Sequence, residues 1–191
     1  MALRRGFKTE ATNVARDTRA ELGLGPVAPL DPRVLAEYLA IPIVPLSDFA
    51  TDIPAAVRYF RSRGDGEFSA ATIFAGTERL IVHNDAHARG RQANDLAHEL
   101  SHALLFHEPK PALNALGCRD WDADAEDEAN FLAGVLLVPE EVTIAVVRRG
   151  LSLETAAEAY GVSVPLMRWR INATGARVRV ARARKAWAAS R

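Results

Sequence analysis

Between Gln92 and His107 the sequence QANDLAHELSHALLFH sets two histidines four residues apart inside a run whose apolar residues recur at helical spacing. Ala93, Leu96, Ala97, Leu100, Ala103 and Leu104 make one stripe of that helix, and the stripe must be buried against other elements. His98 and His102 flank it and project from a common face, so both imidazoles can reach one ion about 2 Å from each nitrogen. Glu99, one step round, falls beside such an ion. A carboxylate there can take a proton from water that zinc has acidified to a pKa of roughly 7. The pattern is H-E-x-x-H, and the plain alternative is a helix carrying two surface histidines. A third ligand decides between them, because catalytic zinc takes three protein ligands and keeps a position for water.

The place to look is downstream. DWDADAEDEAN, from Asp120 to Asn130, passes directly into the apolar FLAGVLLVPEE. Six acids so close repel one another unless solvent or a cation compensates. Acids are also favoured at a helix N-terminus, where they complement the dipole, and one of them can bind metal while the others stay solvated. Glu126 and Asn130 are four apart and share a face. Glu126 is the favoured third ligand, and Asn130 can hold a ligand histidine by its other nitrogen. Glu128 competes for the ligand role, but it lies about 200° round the helix from Glu126, so the two cannot serve one ion.

HELSHALLFH followed by EDEANFLAGVLLVP resembles the ImmA/IrrE metallopeptidases, whose pattern runs H-E-[LI]-[GS]-H and then E-x-x-A-N-x-F-A-x-x-L-L-x-P. The second block is carried here by Glu126, Ala129, Asn130, Phe131, Leu132, Ala133, Leu136, Leu137 and Pro139, with Phe131-Leu132-Ala133 a small departure. IVHND at Ile81–Asp85 and Arg91 extend the likeness over most of the chain. The resemblance implies a cytosolic zinc-dependent endopeptidase with His98, His102 and Glu126 as ligands and Glu99 as general base. Its implied substrate is an Xre-like helix-turn-helix repressor, whose cleavage switches genes on.

Composition bounds the rest. With 191 residues and 49% hydrophobic content the chain can bury one sizeable core. Lys plus Arg balances Asp plus Glu at 24 each, so no global charge draws it to nucleic acid or membrane. Cys118 is the only cysteine, which excludes an internal disulfide and suits a reducing compartment; a small buried filler is its plainest role. No apolar run opens the chain, and the longest, Phe131–Val138, is well short of the about 20 residues a spanning helix needs. The expected location is the cytoplasm.

The expected fold is α+β: a zincin-like metallopeptidase domain with a small antiparallel sheet over residues 1–139, then a helical segment over 140–191 with a basic tail. Lys8–Leu22 has the spacing of an amphipathic helix, and Asp31 with Pro32 starts another that runs through Leu39. Ile41–Val44 is an expected edge strand, since Pro42 cannot donate to a ladder. Ala56–Arg61 and Phe68–Phe74, around a turn at Ser62–Glu67, predict a hairpin, and Arg79–His83 adds a strand. Three antiparallel strands beside the metal helix leave an edge for an extended peptide. His83, His87 and His107 are candidates to line a cleft or stabilise an oxyanion; His83, on the strand leading to the metal helix, comes first and Tyr59 and Tyr160 follow.

Beyond Pro139, Glu140–Arg149, a break at Gly150, a Ser152-capped helix, Gly161-Val162-Ser163 and Val164–Ala173 trace a helix-turn-helix outline. Arg168 and Arg170 lie on its second helix beside Met167 and Trp169, which have the character of packing residues. After Glu158 no acid follows, and Arg177, Arg179, Arg182, Arg184 and Lys185 form a basic, expectedly mobile tail able to contact phosphates or an acidic partner. DNA contact is thus the second reading: a metal-binding regulator that acts on DNA or a repressor without proteolysis. The single cysteine opposes a closed structural zinc site.

Overall fold

Proline placement and side-chain caps decide where the helices begin. The structure, a computed structural model, describes residues 3–64, 66–76, 78–108 and 122–190. Helix α1 is Phe7–Glu21 and α2 is Pro32–Tyr38, the latter capped by Asp31, whose side chain accepts from the Arg33 N–H at 2.9 Å. The sheet is built from β1 (Ile43–Pro45), β2 (Ala70–Ala75) and β3 (Glu78–His83), with α3 (Pro54–Phe60) between the first two. Helix α4, Arg89–Leu104, follows the sheet, and α5, Ala123–Leu137, is capped by Asp122. The chain ends in α6 (Glu140–Arg149), α7 (Leu153–Ala159), α8 (Val164–Ala173) and α9 (Ala176–Ala189). Ser152 and Ser163 cap α7 and α8.

The β region differs from expectation. Ala56–Arg61, expected as a strand, lies almost wholly within α3: Pro54 presets its first turn, and Val57 and Phe60, three apart, serve one helical face as readily as alternation serves a sheet. Both residues join the small cluster of Leu46, Val57 and Val82. The hairpin therefore joins β2 to β3, with Ala75 opposite Glu78 and Gly76 at φ +64° in the turn. Nor are all three strands antiparallel. The order is β1-β3-β2, and β1 runs parallel to β3, the 3₁₀ turn Leu46–Ala50, α3 and β2 supplying the long crossover that parallel pairing requires.

Helix α5 is the axis of the molecule, buried at Ala129 and continuously from Phe131 to Leu137. On one side Leu132 and Leu136 pack with Phe7, Ala11, Leu35, Ile81, Leu96 and Leu100. On the other, Ala133 and Leu137 join Ala97, Val142, Ala156, Met167 and Ile171, so the C-terminal helices share a core with α4 and α5. A Cβ on Gly90, at the start of α4, would fall 2.5 Å from the Val162 carbonyl carbon, so only glycine lets α4 meet the α7–α8 turn this closely. No single helix among the described residues is long and apolar enough to cross a membrane.

Two buried guanidinium groups finish α5. Arg19 Nη1 donates to the Leu136 carbonyl at 2.9 Å, and Arg170 Nε donates to Val138 at 2.9 Å, satisfying carbonyls that a helix end leaves without intrahelical partners. Arg170 is only 4% exposed, and burial pushes its pKa down to about 10, still charged at neutral pH. It is thus a packing residue and not a phosphate contact. The basic tail forms helix α9.

Candidate metal centre

Helices α4 and α5 lie side by side and bring their polar faces together. His98 Nε2 and His102 Nε2 are 3.1 Å apart, and the Glu126 oxygens lie 3.1 Å from His98 Nε2 and 3.8 Å from His102 Nε2. Ligand atoms placed tetrahedrally at zinc bond lengths stand about 3.3 Å from one another, so the three side chains fit a shared ion without rearrangement of the backbone. Two imidazoles and one carboxylate are also a suitable donor set. Electrostatics agree. Hydrogen bonds from His102 and His98 hold the Glu126 carboxyl far below the ordinary carboxylate range. Burial pulls His98 down, but the bond to Glu126 and the Glu99 and Glu126 charges outweigh it and raise its pKa. The two shifts are the two sides of one pairing, an anionic Glu126 held against the imidazoles.

The remaining nitrogens of the two histidines are held differently. His98 Nδ1 meets Asn130 Oδ1 at 3.0 Å, one turn along α5 from Glu126. His102 Nδ1 meets His107 Nδ1 at 2.9 Å. Glu99 is 7% exposed, and its Oε2 accepts from the Thr72 N–H at 3.0 Å and the Thr72 hydroxyl at 2.7 Å. Thr72 belongs to β2, an edge strand whose outward N–H turns toward α4 there and away from its neighbour β3.

Other sequence candidates fall elsewhere. His83 is 1% exposed at the end of β3, with Nε2 3.3 Å from Arg33 Nη2, so it is not presented to a substrate as an oxyanion stabiliser. Burial, with the Arg33 charge, lowers its pKa. His87 is buried 3.5 Å from Asp95 Oδ2. Tyr59 donates to Glu67 and Tyr160 to the Val27 carbonyl. Glu128, the rival ligand, faces Arg4 and His107. Cys118 lies outside the described residues. Sequence reasoning missed Thr72, since a threonine in a strand carries no sign of which side-chain oxygen it will meet across the fold.

Paired imidazoles and a carboxylate from adjacent helices, beside a small mixed sheet and with a further carboxylate next to the first histidine, form a candidate metal site of a kind that metallopeptidases carry. The family model described as IrrE N-terminal-like domain (Peptidase_M78) matches residues 37–172, more than two thirds of the chain, and the chain belongs to that family. Its members are metallopeptidases, which implies a protein substrate. No curated protein matches the chain.

Proposed function

We propose that this protein is a zinc-dependent endopeptidase that cleaves an Xre-like helix-turn-helix repressor in the cytoplasm and so switches on gene expression. The observation that carries the catalytic part is the convergence of His98, His102 and Glu126 within ligand distance, with the charge of Glu99, the next residue after His98, acting on that histidine. The repressor substrate is supported by the likeness to the ImmA/IrrE enzymes. In this reading the domain is zincin-like, and His98, His102 and Glu126 hold the ion. Zinc, when bound, supplies Lewis acidity toward water and the scissile carbonyl.

Glu99 does the proton work. Both Thr72 bonds fall on Oε2, which leaves Oε1 to accept a proton from the attacking water and to deliver it to the departing amine. Asn130 fixes the ring of His98. The outer edge of β2, whose Thr72 reaches Glu99, is where an extended peptide would pair.

Incubating the purified, zinc-loaded protein with the repressor encoded beside its gene should yield discrete fragments, and chelator should stop the reaction. Glu99→Gln should retain zinc while cleavage falls by about 10²–10⁴-fold. Cleavage at the normal rate by that variant would remove Glu99 from the role of base. The second reading, DNA contact through the C-terminal helices, loses one of its two α8 arginines because Arg170 is buried on Val138.

A further inference from the structure

Helix α4 ends in a left-handed residue that is not glycine. Phe106 has φ +53° and is 89% exposed, so neither packing of its ring nor freedom of its backbone accounts for the conformation. What the turn does is carry the chain back under the helix. The His107 N–H bonds to the His102 carbonyl at 3.1 Å, and the His107 ring comes to rest against the His102 ring, with centroids 5.0 Å apart.

From there polar contacts continue. His107 Nε2 lies 3.5 Å from Glu128 Oε2, both side chains being largely buried. Glu128 Oε1 accepts from Arg4 Nε at 2.7 Å, and Arg4 Nη2 donates to Glu10 Oε1 at 2.7 Å. The sense of each link follows from donor and acceptor chemistry. A histidine whose Nε2 faces a metal carries its proton on Nδ1, so His102 donates and His107 Nδ1 accepts. His107 then carries its own proton on Nε2, the nitrogen that faces the Glu128 carboxylate.

We propose that His107, held by Glu128 and Arg4, is the positioning residue that fixes the ring plane and tautomer of the metal ligand His102, as Asn130 does for His98. This rests on the metal reading above and extends it. It gives Glu128 a role that excludes it from the ligand set. It also ties the metal centre to the start of α1, since Arg4 and Glu10 lie outside the residues that match the family, 37–172.

The test is zinc affinity of the purified full chain, by competition with a chromophoric chelator, alongside thermal melts in zinc-free buffer. The wild type should bind one zinc and His98→Ala should lose it. His107→Leu should still bind one zinc, about 10–100-fold more weakly. His107→Asn should stay within about threefold of wild type, because its Oδ1 takes the place of the accepting Nδ1. Glu128→Gln should weaken binding several-fold.

His107→Leu with wild-type affinity would overturn the proposal. So would complete loss matching His98→Ala, which would make His107 a ligand, or an Asn variant as weak as the Leu variant, which would reduce it to packing. If the zinc-free melt shows that His107→Leu does not fold, Glu128→Gln decides: unchanged affinity there refutes the chain. Failure of the metal reading has its own signature, a wild type that takes up no zinc or a His98→Ala variant that binds as well as wild type, and the proposal falls with it.

Discussion

Thr72 donates twice to one oxygen of Glu99, through its backbone and through its hydroxyl, and this leaves the second oxygen with a defined orientation. In its proposed role as base, Glu99 gains from being held, because proton transfer depends on hydrogen-bond distance before it depends on pKa. Thr72→Val keeps the shape and the backbone bond while deleting the hydroxyl. Hydrogen bonds to charged groups contribute about 1.5–3 kcal/mol, so kcat should fall by roughly 10–150-fold, with zinc content and KM nearly unchanged and Thr72→Ser restoring the rate. Steady-state kinetics on the proposed repressor substrate measures this; turnover of the Val variant at the wild-type rate would contradict it. The candidate ligands His98, His102 and Glu126 were legible because H-E-x-x-H and the Glu126–Asn130 spacing are local, helical relations. Thr72, on another element altogether, has no local relation to show.

Elements meet at Asp85, which follows β3 and holds the ends of two neighbours. Its carboxylate accepts from the Ser47 N–H at 3.0 Å, in the turn after β1, and from Arg61 at the end of α3. Burial raises the Asp85 carboxyl, but the bonds from Arg61 and Ser47 prevail and its pKa lies below the ordinary value. A depressed folded pKa contributes stability that is present above the unfolded value of about 3.9 and is lost as pH falls through the lower folded value. Asp85→Asn should therefore lower Tm at pH 6–7, and the gap from wild type should close as pH drops below about 4. Thermal melts across that range test it, and a gap independent of pH would rule out the charge as the cause. The same region shows where element prediction failed. Residues 56–61 alternate well enough for a strand, yet Pro54 starts a helix and Val57 pays no penalty for facing the same cluster from a helix. The parallel pairing of β1 with β3 depends on a crossover that no window of sequence contains.

At the scale of the molecule, α5 joins the two halves of the core and carries Glu126, Glu128 and Asn130 at its polar end, while Arg19 and Arg170 close its other end. Helical periodicity made α4 and α5 readable as separate elements. Their mutual placement, and the packing of the C-terminal helices onto the same axis, came from burial that only the folded chain reveals. The central claim is that this axis and α4 grip one zinc ion between them. The most direct measurement is a crystal structure of the zinc-loaded protein with anomalous data at the zinc edge. One peak should stand about 2.0–2.2 Å from His98 Nε2, His102 Nε2 and a Glu126 oxygen. A peak held by other residues, or Glu126 turned away from the two imidazoles in an active protein, would contradict the account.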